Sequence, residues 1–172
     1  MSKYIKIFIP VLFFLIGSGF AQQKIVYVDS KVIIDNMQDA KDAQKTLDGF
    51  VTQWKSEIST LNDSLNQIKD DYEKKKLILT ENIRKQKEQE ITSLGKRIEE
   101  YKTEKFGEGG EYFRKQDELM KPVQDKVFKA IADVAKEGDY DFVFDRSTEM
   151  LLLYMNEKFD LTPQVMKKLE IK

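Results

Sequence analysis

A regular spacing of apolar residues between positions 47 and 72 constrains the fold more than any other feature of this sequence. The apolar side chains are separated by four and three residues in alternation, and they are Leu47, Val51, Trp54, Ile58, Leu61, Leu65, Ile68 and Tyr72. A mean interval of about 3.5 residues places them in one narrow stripe along a helix. We call this stripe the first seam. It predicts a long helix that packs against another helix as a coiled coil, and it excludes a β-strand over this stretch.

A second apolar stripe follows after a break. The period fades over residues 74–82, where Thr80 is a suitable helix cap, and it then resumes. Its members are Ile91, Leu94, Ile98, Tyr101, Phe113, Met120, Val127 and Val134. Two such helices joined by a short break fold most simply into an antiparallel hairpin with its tip near Leu79. A continuous rod that dimerises in parallel would bury the same residues. The periodicity leaves both open, and the break favours the hairpin.

Short apolar segments at both ends of the chain predict strands. Residues 24–29, 140–145 and 150–155 are rich in β-branched and aromatic side chains. The strand residues that we assign to the body core or to a subunit interface are Ile25, Tyr27, Phe142, Phe144 and Leu152.

Residues with known capping preferences mark the predicted helix ends. Asp29 or Ser30 can cap the helix that follows the first strand. Gly138 can end the second hairpin helix in a left-handed conformation. Thr162, followed by Pro163, can cap a short terminal helix.

The order of these elements is strand, long helix, long helix, strand, strand and short helix. Because strands lie near both termini, the hairpin must project from a body that both ends of the chain build. The predicted fold class is α+β, mostly α, with a long antiparallel coiled-coil hairpin on a small β-stranded body. We place the arm at about residues 46–119 and the body at 22–45 and 120–172 of one domain, 22–172. So thin a monomer buries little surface, and self-association is expected.

The first 21 residues have the features of a secretory signal peptide. Lys3 and Lys6 precede an apolar run, Ile7 to Ile16, and small residues lead to Ala21. The run is shorter than the roughly 20 apolar residues that span a bilayer. Cleavage after Ala21, and therefore export, is favoured over a retained membrane anchor.

Composition argues against catalysis and against nucleic-acid binding. The chain contains no His and no Cys, so the usual zinc ligands, disulfides and Ser-His or Cys-His nucleophile pairs are unavailable. Of the 29 basic residues, 27 remain without Lys3 and Lys6, against 30 acidic ones, for a mature net charge of −3. That balance gives no electrostatic case for a nucleic-acid partner. We expect no enzymatic activity, no cofactor and no metal.

A cluster of basic residues falls at the predicted tip of the hairpin. Between positions 74 and 87 six basic residues stand against one acidic residue, Glu81, for a net charge of +5. The six, which we call the tip cluster, are Lys74, Lys75, Lys76, Arg84, Lys85 and Lys87. Such a rim can attract acidic protein segments or an anionic membrane surface. The alternative is an ordinary solvated turn.

Glycines coincide at one height of the predicted hairpin. With the tip at Leu79, Gly49 lies 30 residues before it and Gly109 lies 30 residues after it. A glycine costs about 1 kcal/mol relative to alanine inside a helix, so bending should concentrate at this height. We predict a hinge formed by Gly49, Gly107, Gly109 and Gly110. A local bulge or loop insertion is the alternative, because the second stripe shifts phase by one residue here.

Four short segments occur in a set order around the hairpin. They are 24–30 (Lys-Ile-Val-Tyr-Val-Asp-Ser), 119–123 (Leu-Met-Lys-Pro-Val), 140–145 (Tyr-Asp-Phe-Val-Phe-Asp) and 160–163 (Asp-Leu-Thr-Pro). In this order and spacing the sequence resembles the Skp/OmpH family of periplasmic chaperones over essentially the whole mature length.

The resemblance implies a homotrimer in which strands from three subunits form a central body. Three helical hairpins would then surround a cavity that holds unfolded outer-membrane β-barrel proteins, without ATP, in the periplasm. The implied partners are those unfolded proteins and two further copies of this chain. The charge of the tip cluster, and not the resemblance, adds an anionic membrane surface as a candidate at the arm tips. A structural or adaptor coiled-coil protein without holdase activity is the alternative.

Overall fold

The computed structural model describes residues 23–147 and 153–171 of the chain. In chain order the elements are β1 (Ile25–Val28), α1 (Ser30–Asn36), α2 (Gln38–Lys75), α3 (Glu81–Phe106), α4 (Glu111–Glu137), β2 (Phe142–Asp145), one 3-10 turn (Glu157–Phe159) and α5 (Thr162–Lys168). The mostly helical α+β class is therefore confirmed. The signal peptide predicted at 1–21 lies outside the described residues. Within the described ranges, no helix has the length and apolar character that crossing a bilayer requires.

Helices α2 and α3 form an antiparallel hairpin. Near the tip, the Tyr72 hydroxyl donates a hydrogen bond to Glu88 Oε1 at 2.5 Å. Further down, the Tyr101 hydroxyl donates to the Glu57 carboxylate. As the residue number falls along α2, from 72 to 57, the number of its partner in α3 rises, from 88 to 101. The two helices therefore run antiparallel. The turn between Lys75 and Glu81 contains the predicted tip, so the hairpin is confirmed and the continuous rod is wrong.

The first seam faces the helix interface over its whole length. Leu47, Trp54 and Leu65 are buried, and none of its other members is exposed. Ile98 is the fully buried residue that α3 contributes. The seam is therefore the reason that α2 and α3 pack together, because each apolar side chain removed from water contributes favourably to folding.

The second stripe is interrupted, and the descending half of the hairpin consists of two helices. α3 ends at Phe106 and α4 begins at Glu111, with a loop of residues 107–110 between them. Phe113, which we predicted to lie in the seam, is half exposed because the loop resets the helical phase. Val127 and Val134 lie in phase again and are buried. The loop insertion that the phase shift suggested is thus present.

The body packs a small parallel sheet against helices. β1 and β2 pair in parallel with Ile25 opposite Phe142 and Val28 opposite Asp145, and the described residues contain no further strand of this sheet. Strand side chains alternate between two faces. One face adds Val26 and Val28 to a core made with α1, α2, α4 and α5, whose other buried members are Ile33, Met37, Ala40, Val123, Val127, Ala130, Val134, Leu161 and Val165.

The third strand, predicted at 150–155, is not formed where the structure describes the chain. Residues 150–152 lie outside the described ranges, and 153–155 have no strand conformation. The polypeptide instead reaches β1 a few residues later, through a single parallel bridge between Tyr27 and Asp160. The Leu161 amide donates to the Tyr27 carbonyl at 2.8 Å. This bridge closes the edge of β1 that β2 leaves free.

The predicted cap at Gly138 is wrong in its conformation. Gly138 is right-handed, at φ −89° and ψ −2°, and the left-handed residue is Asp139, at φ 52°. A side chain at 138 would collide with the Tyr140 ring, so glycine is required there for close packing.

Of the other two predicted caps, one is present and one is not. Asp29 caps α1 as predicted, with Oδ1 accepting from the Val32 amide at 2.9 Å. Thr162 does not cap α5, because its hydroxyl accepts a hydrogen bond from the Asp29 amide at 2.9 Å. That bond fastens the start of α5 to the end of β1, and Asp160 Oδ1 accepts from the Thr162 amide instead.

Candidate functional site

The outer face of the sheet is an exposed apolar surface. Ile25 and Phe142 are about half exposed, and Phe144 is 39% exposed, whereas Tyr27 between them is buried. Ile25, Phe142 and Phe144 therefore do not lie in the core of the subunit, because strand alternation turns them away from the helices. Their exposure argues against the body core, the first of the two roles that we predicted for them, and the second role, a subunit interface, stays a prediction. Leu152, predicted with them, lies outside the described residues.

Residues from the C-terminal segment extend this surface into a groove of about 390 Å³. Its lining is apolar apart from one amide side chain and consists of Ile25, Val26, Tyr27, Phe144, Tyr154, Met155, Asn156 and Phe159. Contiguous apolar surface left in water is a feature of protein interaction sites. We call the whole surface, that is the exposed face of the sheet together with this groove, the outer sheet face.

A network of polar side chains locks the ends of the two strands. The Ser30 hydroxyl donates to the Asp145 carboxylate, and the Ser147 amide donates to Asp145 Oδ1 at 2.9 Å. Partial burial opposes ionisation of Asp145, but these hydrogen bonds outweigh it and hold its pKa below the ordinary value. Arg146 Nε pairs with Asp29 Oδ2 at 2.9 Å. Sequence reasoning missed this network, since the groups that meet are more than 100 residues apart.

The hairpin tip presents two apolar side chains to solvent beside its basic residues. Leu77 and Ile78 are 93% and 83% exposed. Of the tip cluster, Lys75 pairs with Asp71 at 2.5 Å, and Lys76 pairs with Glu73 at 2.5 Å. The tip is therefore amphipathic, with aliphatic groups at the apex and cations around it.

The charge of the tip is confined to a short height of the arm. Lys87 pairs with Glu90 at 2.7 Å, while Lys74, Arg84 and Lys85 have no ion pair with any described residue. Over residues 70–90 six acidic side chains balance the six basic ones. A positive cap thus lies on an acidic band, and its field falls off within about one Debye length, 8–10 Å at physiological salt.

The four predicted hinge glycines lie at one height, as antiparallel packing requires. The rings of Trp54 and Phe106 meet at 5.7 Å, and Lys115 lies over the ring of Phe50 at 5.4 Å. The loop 107–110 is therefore level with the α2 turn that follows Gly49. Hinge motion remains a prediction, but the loop interrupts the helical backbone at this height.

The glycines differ in what they would tolerate. Gly109 is left-handed, at φ 67°, and side chains at Gly107 and Gly110 would collide with backbone oxygens of the preceding helix turn and loop. Gly49 has open space around it. The three loop glycines are therefore needed for the tight turn, and Gly49 alone can be replaced freely.

The described residues contain no cluster of acidic side chains arranged to hold a metal ion. In the same ranges every buried side-chain nitrogen and oxygen has a hydrogen-bond partner. The two candidate sites that exposure and charge single out are surfaces, the outer sheet face and the arm tip.

The fold defines a class of proteins in which a long coiled-coil arm projects from a small body with an exposed apolar sheet face. Comparison with known proteins gives the family. The chain belongs to the OmpH-like family of outer membrane proteins, whose model matches residues 24–169. This confirms the resemblance to the OmpH family seen in the sequence.

A solved structure shares the fold. The crystal structure of an OmpH-like protein from Caulobacter crescentus CB15, assigned provisionally as an outer membrane chaperone, superposes with a TM-score of 0.72. The two chains are 16% identical, and the match covers 88% of this chain and 86% of that one. Comparison with curated proteins gives no significant match.

Proposed function

We propose that this protein is an ATP-independent periplasmic holdase that binds unfolded outer-membrane β-barrel proteins and prevents their aggregation. It reaches the periplasm through a signal peptide that is cleaved after Ala21. It acts as a homotrimer, in which residues 22–45 and 120–172 form the body and residues 46–119 form the arm. The mechanism is encapsulation and requires no catalytic step, no cofactor and no metal.

The outer sheet face is the observation that carries the proposal. Ile25, Phe142 and Phe144 form part of an apolar surface that a single subunit leaves in water. Covering it with equivalent strands of two further copies would bury it at low cost, because each copy contributes the same surface. A body closed in this way directs three hairpins to one side.

The length of the arms supports a cavity of useful size. The part of α2 that lies in the arm, residues 46–75, contains 30 residues, which corresponds to a rod of about 45 Å. Arms of this length, fixed at one end, enclose a space in which an unfolded chain can make many weak contacts with their inner faces. Weak and distributed contacts suit a holdase, since the bound protein must be released without an energy source.

The tip cluster has a role in capture under this proposal. Lys74, Arg84 and Lys85 are unpaired among the described residues, and they stand at the entrance that the three tips would form. Long-range attraction by such cations raises the rate at which acidic segments of an unfolded chain arrive. The same cations would attract an anionic membrane surface near which the cargo is delivered.

Aggregation measurements test the proposal directly. A β-barrel protein unfolded in urea is diluted with and without the mature chain, light scattering is followed, and the mass of the chain is measured on the same sample. We expect suppressed scattering and a trimeric mass. A trimer that leaves scattering unchanged would favour the adaptor alternative, and a stable folded monomer would refute the cavity mechanism.

A variant that keeps the arms intact sharpens the test. Phe144→Asp should abolish both assembly and suppression, because it places a charge on the outer sheet face. Leu77→Asp, at a site that is 93% exposed at the tip, should leave the mass unchanged. Suppression that survives in a monomeric Phe144→Asp variant would show that a cavity between three arms is not needed.

A further inference from the structure

The joint between arm and body has a weak backbone on one side. α3 and α4 are joined by four residues, 107–110, of which three are glycines and one, Gly109, is left-handed. Such a loop has few internal bonds that resist bending. α2 passes the same height without a break, but Gly49 lies close to it. The angle at which the arm leaves the body is therefore held by the unbroken α2 on one side, and on the other side only by side chains that cross the joint.

Lys105 is one side chain that crosses it. It lies in the last turn of α3, and its ammonium group pairs with the carboxylate of Glu111, the first residue of α4. It also contacts Glu104 at 3.1 Å. The Lys105 side chain is only 13% exposed, although a lysine at a helix end can normally extend into water. The ion pair thus spans the glycine loop as a second, non-covalent connection between α3 and α4.

Aromatic rings hold the ammonium group in place. Lys105 Nζ lies 5.6 Å from the Trp54 ring centroid and 5.2 Å from that of Tyr101. Both distances are within the range of cation–π attraction. Trp54 belongs to α2, is buried, and has the Phe106 ring against it edge-on at 5.7 Å. One cation therefore connects α2, α3 and α4.

The tyrosine of this cluster is itself tied to α2. Its hydroxyl donates to Glu57, whose other oxygen accepts from Gln53 Nε2 at 2.9 Å. Burial, and then the bond to Glu57, raises the pKa of Tyr101 to about 12, so it stays a neutral donor. The hydrogen bond that Lys105 donates, and the charge of its ammonium group, lower the pKa of Glu111. The position of Glu111 in the first turn of α4 favours the same charged form, because helix N-termini attract anions.

We propose that the Lys105–Glu111 ion pair, seated on Trp54 and Tyr101, is a latch that fixes the angle between arm and body. With the latch closed, α3 and α4 behave as one rod alongside α2. With it open, the glycine loop and Gly49 let the arm swing. The inference concerns motion within one subunit and does not depend on what the arms hold.

Two substitutions open the latch without removing its packing. Lys105→Met keeps the aliphatic stem over the rings and removes the charge, and Glu111→Gln keeps the shape of the acceptor. Lys115→Met is the matched control, since Lys115 also lies over a ring of α2, Phe50, but pairs with Glu118 inside its own helix. The control thus removes a cation–π contact and an ion pair at the same height without affecting the joint.

Distance measurements between spin labels report the angle. The chain has no Cys, so labels can be placed at Gln89→Cys on the arm and Ala132→Cys on the body, both exposed sites. Labelled subunits are diluted with unlabelled ones so that pairs within one subunit are seen. We expect the population outside the main distance peak to rise about tenfold in Lys105→Met and in Glu111→Gln, and to stay unchanged in Lys115→Met.

Further results would distinguish a latch from general stabilisation. The distance distribution of the double variant should be no broader than that of either single variant, because both changes break the same contact. A distribution as narrow in Lys105→Met and Glu111→Gln as in the parent would overturn the proposal. Equal broadening in Lys115→Met would overturn it too, by showing that any loss of stability at this height has the same effect. Should Lys105→Met unfold, Glu111→Gln decides alone.

Discussion

The Phe144→Asp variant is the sharpest probe of how the body assembles. Phe144 points away from the core and is 39% exposed in one subunit. Full burial of a phenylalanine is worth about 1.5–3 kcal/mol, so the part that assembly can still bury corresponds to about 1 kcal/mol. A carboxylate confined in that place adds a desolvation cost of at least about 2 kcal/mol.

Assembly multiplies this cost. Three equivalent copies would lose about 9 kcal/mol together, which corresponds to more than six orders of magnitude in the trimer dissociation constant. The subunit itself should stay folded, because the new charge can remain in water when the surface is uncovered. Sedimentation velocity at micromolar concentration should therefore show a monomer whose helix content by circular dichroism equals that of the parent. An intact trimer of normal stability would refute the assignment of the outer sheet face to an interface.

Four further variants test other parts of the molecule. Replacing four tip lysines with glutamine should slow capture of an unfolded β-barrel and flatten its salt dependence in stopped-flow experiments, and capture that is unchanged at every salt concentration would identify a solvated turn. The four are Lys74, Lys75, Lys76 and Lys85. Gly49→Ala should raise the free energy of unfolding in urea by up to about 1 kcal/mol, whereas Gly109→Ala should lower it because the backbone at Gly109 is left-handed. The reverse order of the two free energies would contradict the loop geometry. Asp145 has a lowered pKa, so its contribution to stability is complete above the ordinary value of 3.8 and is lost as pH falls through the folded value. Asp145→Asn should accordingly lose stability at neutral pH but show a shallower decline in acid, and an unchanged acid limb would show that the carboxylate contributes nothing.

The hairpin could be predicted from the sequence because its cause is local and repetitive. The first seam, from Leu47 to Tyr72, repeats one physical requirement every three or four residues, and each repeat reinforces the same helix. The tip near Leu79 could be predicted because the regular apolar spacing stops there. Both features depend on neighbours in the chain, and both are present in the structure.

The body was harder to predict because its contacts join distant residues. Periodicity indicated strands at 24–29 and 140–145, but nothing local shows that they pair in parallel or which face is covered. Thr162 illustrates the problem: its sequence context is that of a helix cap, yet its hydroxyl bonds the Asp29 amide, 133 residues away. The latch at Lys105 was missed for the same reason, since a lysine at a helix end looks like solvated surface until Trp54 is placed beneath it.

The parallel pairing of β1 with β2 has a consequence for the order of folding. Ile25 meets Phe142 across 117 residues, so the sheet cannot form until most of the chain is available to fold. Contacts this distant in sequence form slowly, because the entropy of closing the loop is lost before any pairing is gained. The α2–α3 hairpin shortens that loop by bringing its own ends together through local contacts. The arm is therefore expected to fold before the body. A chain truncated before Phe142 would contain the α2–α3 hairpin but would lack the β1–β2 sheet.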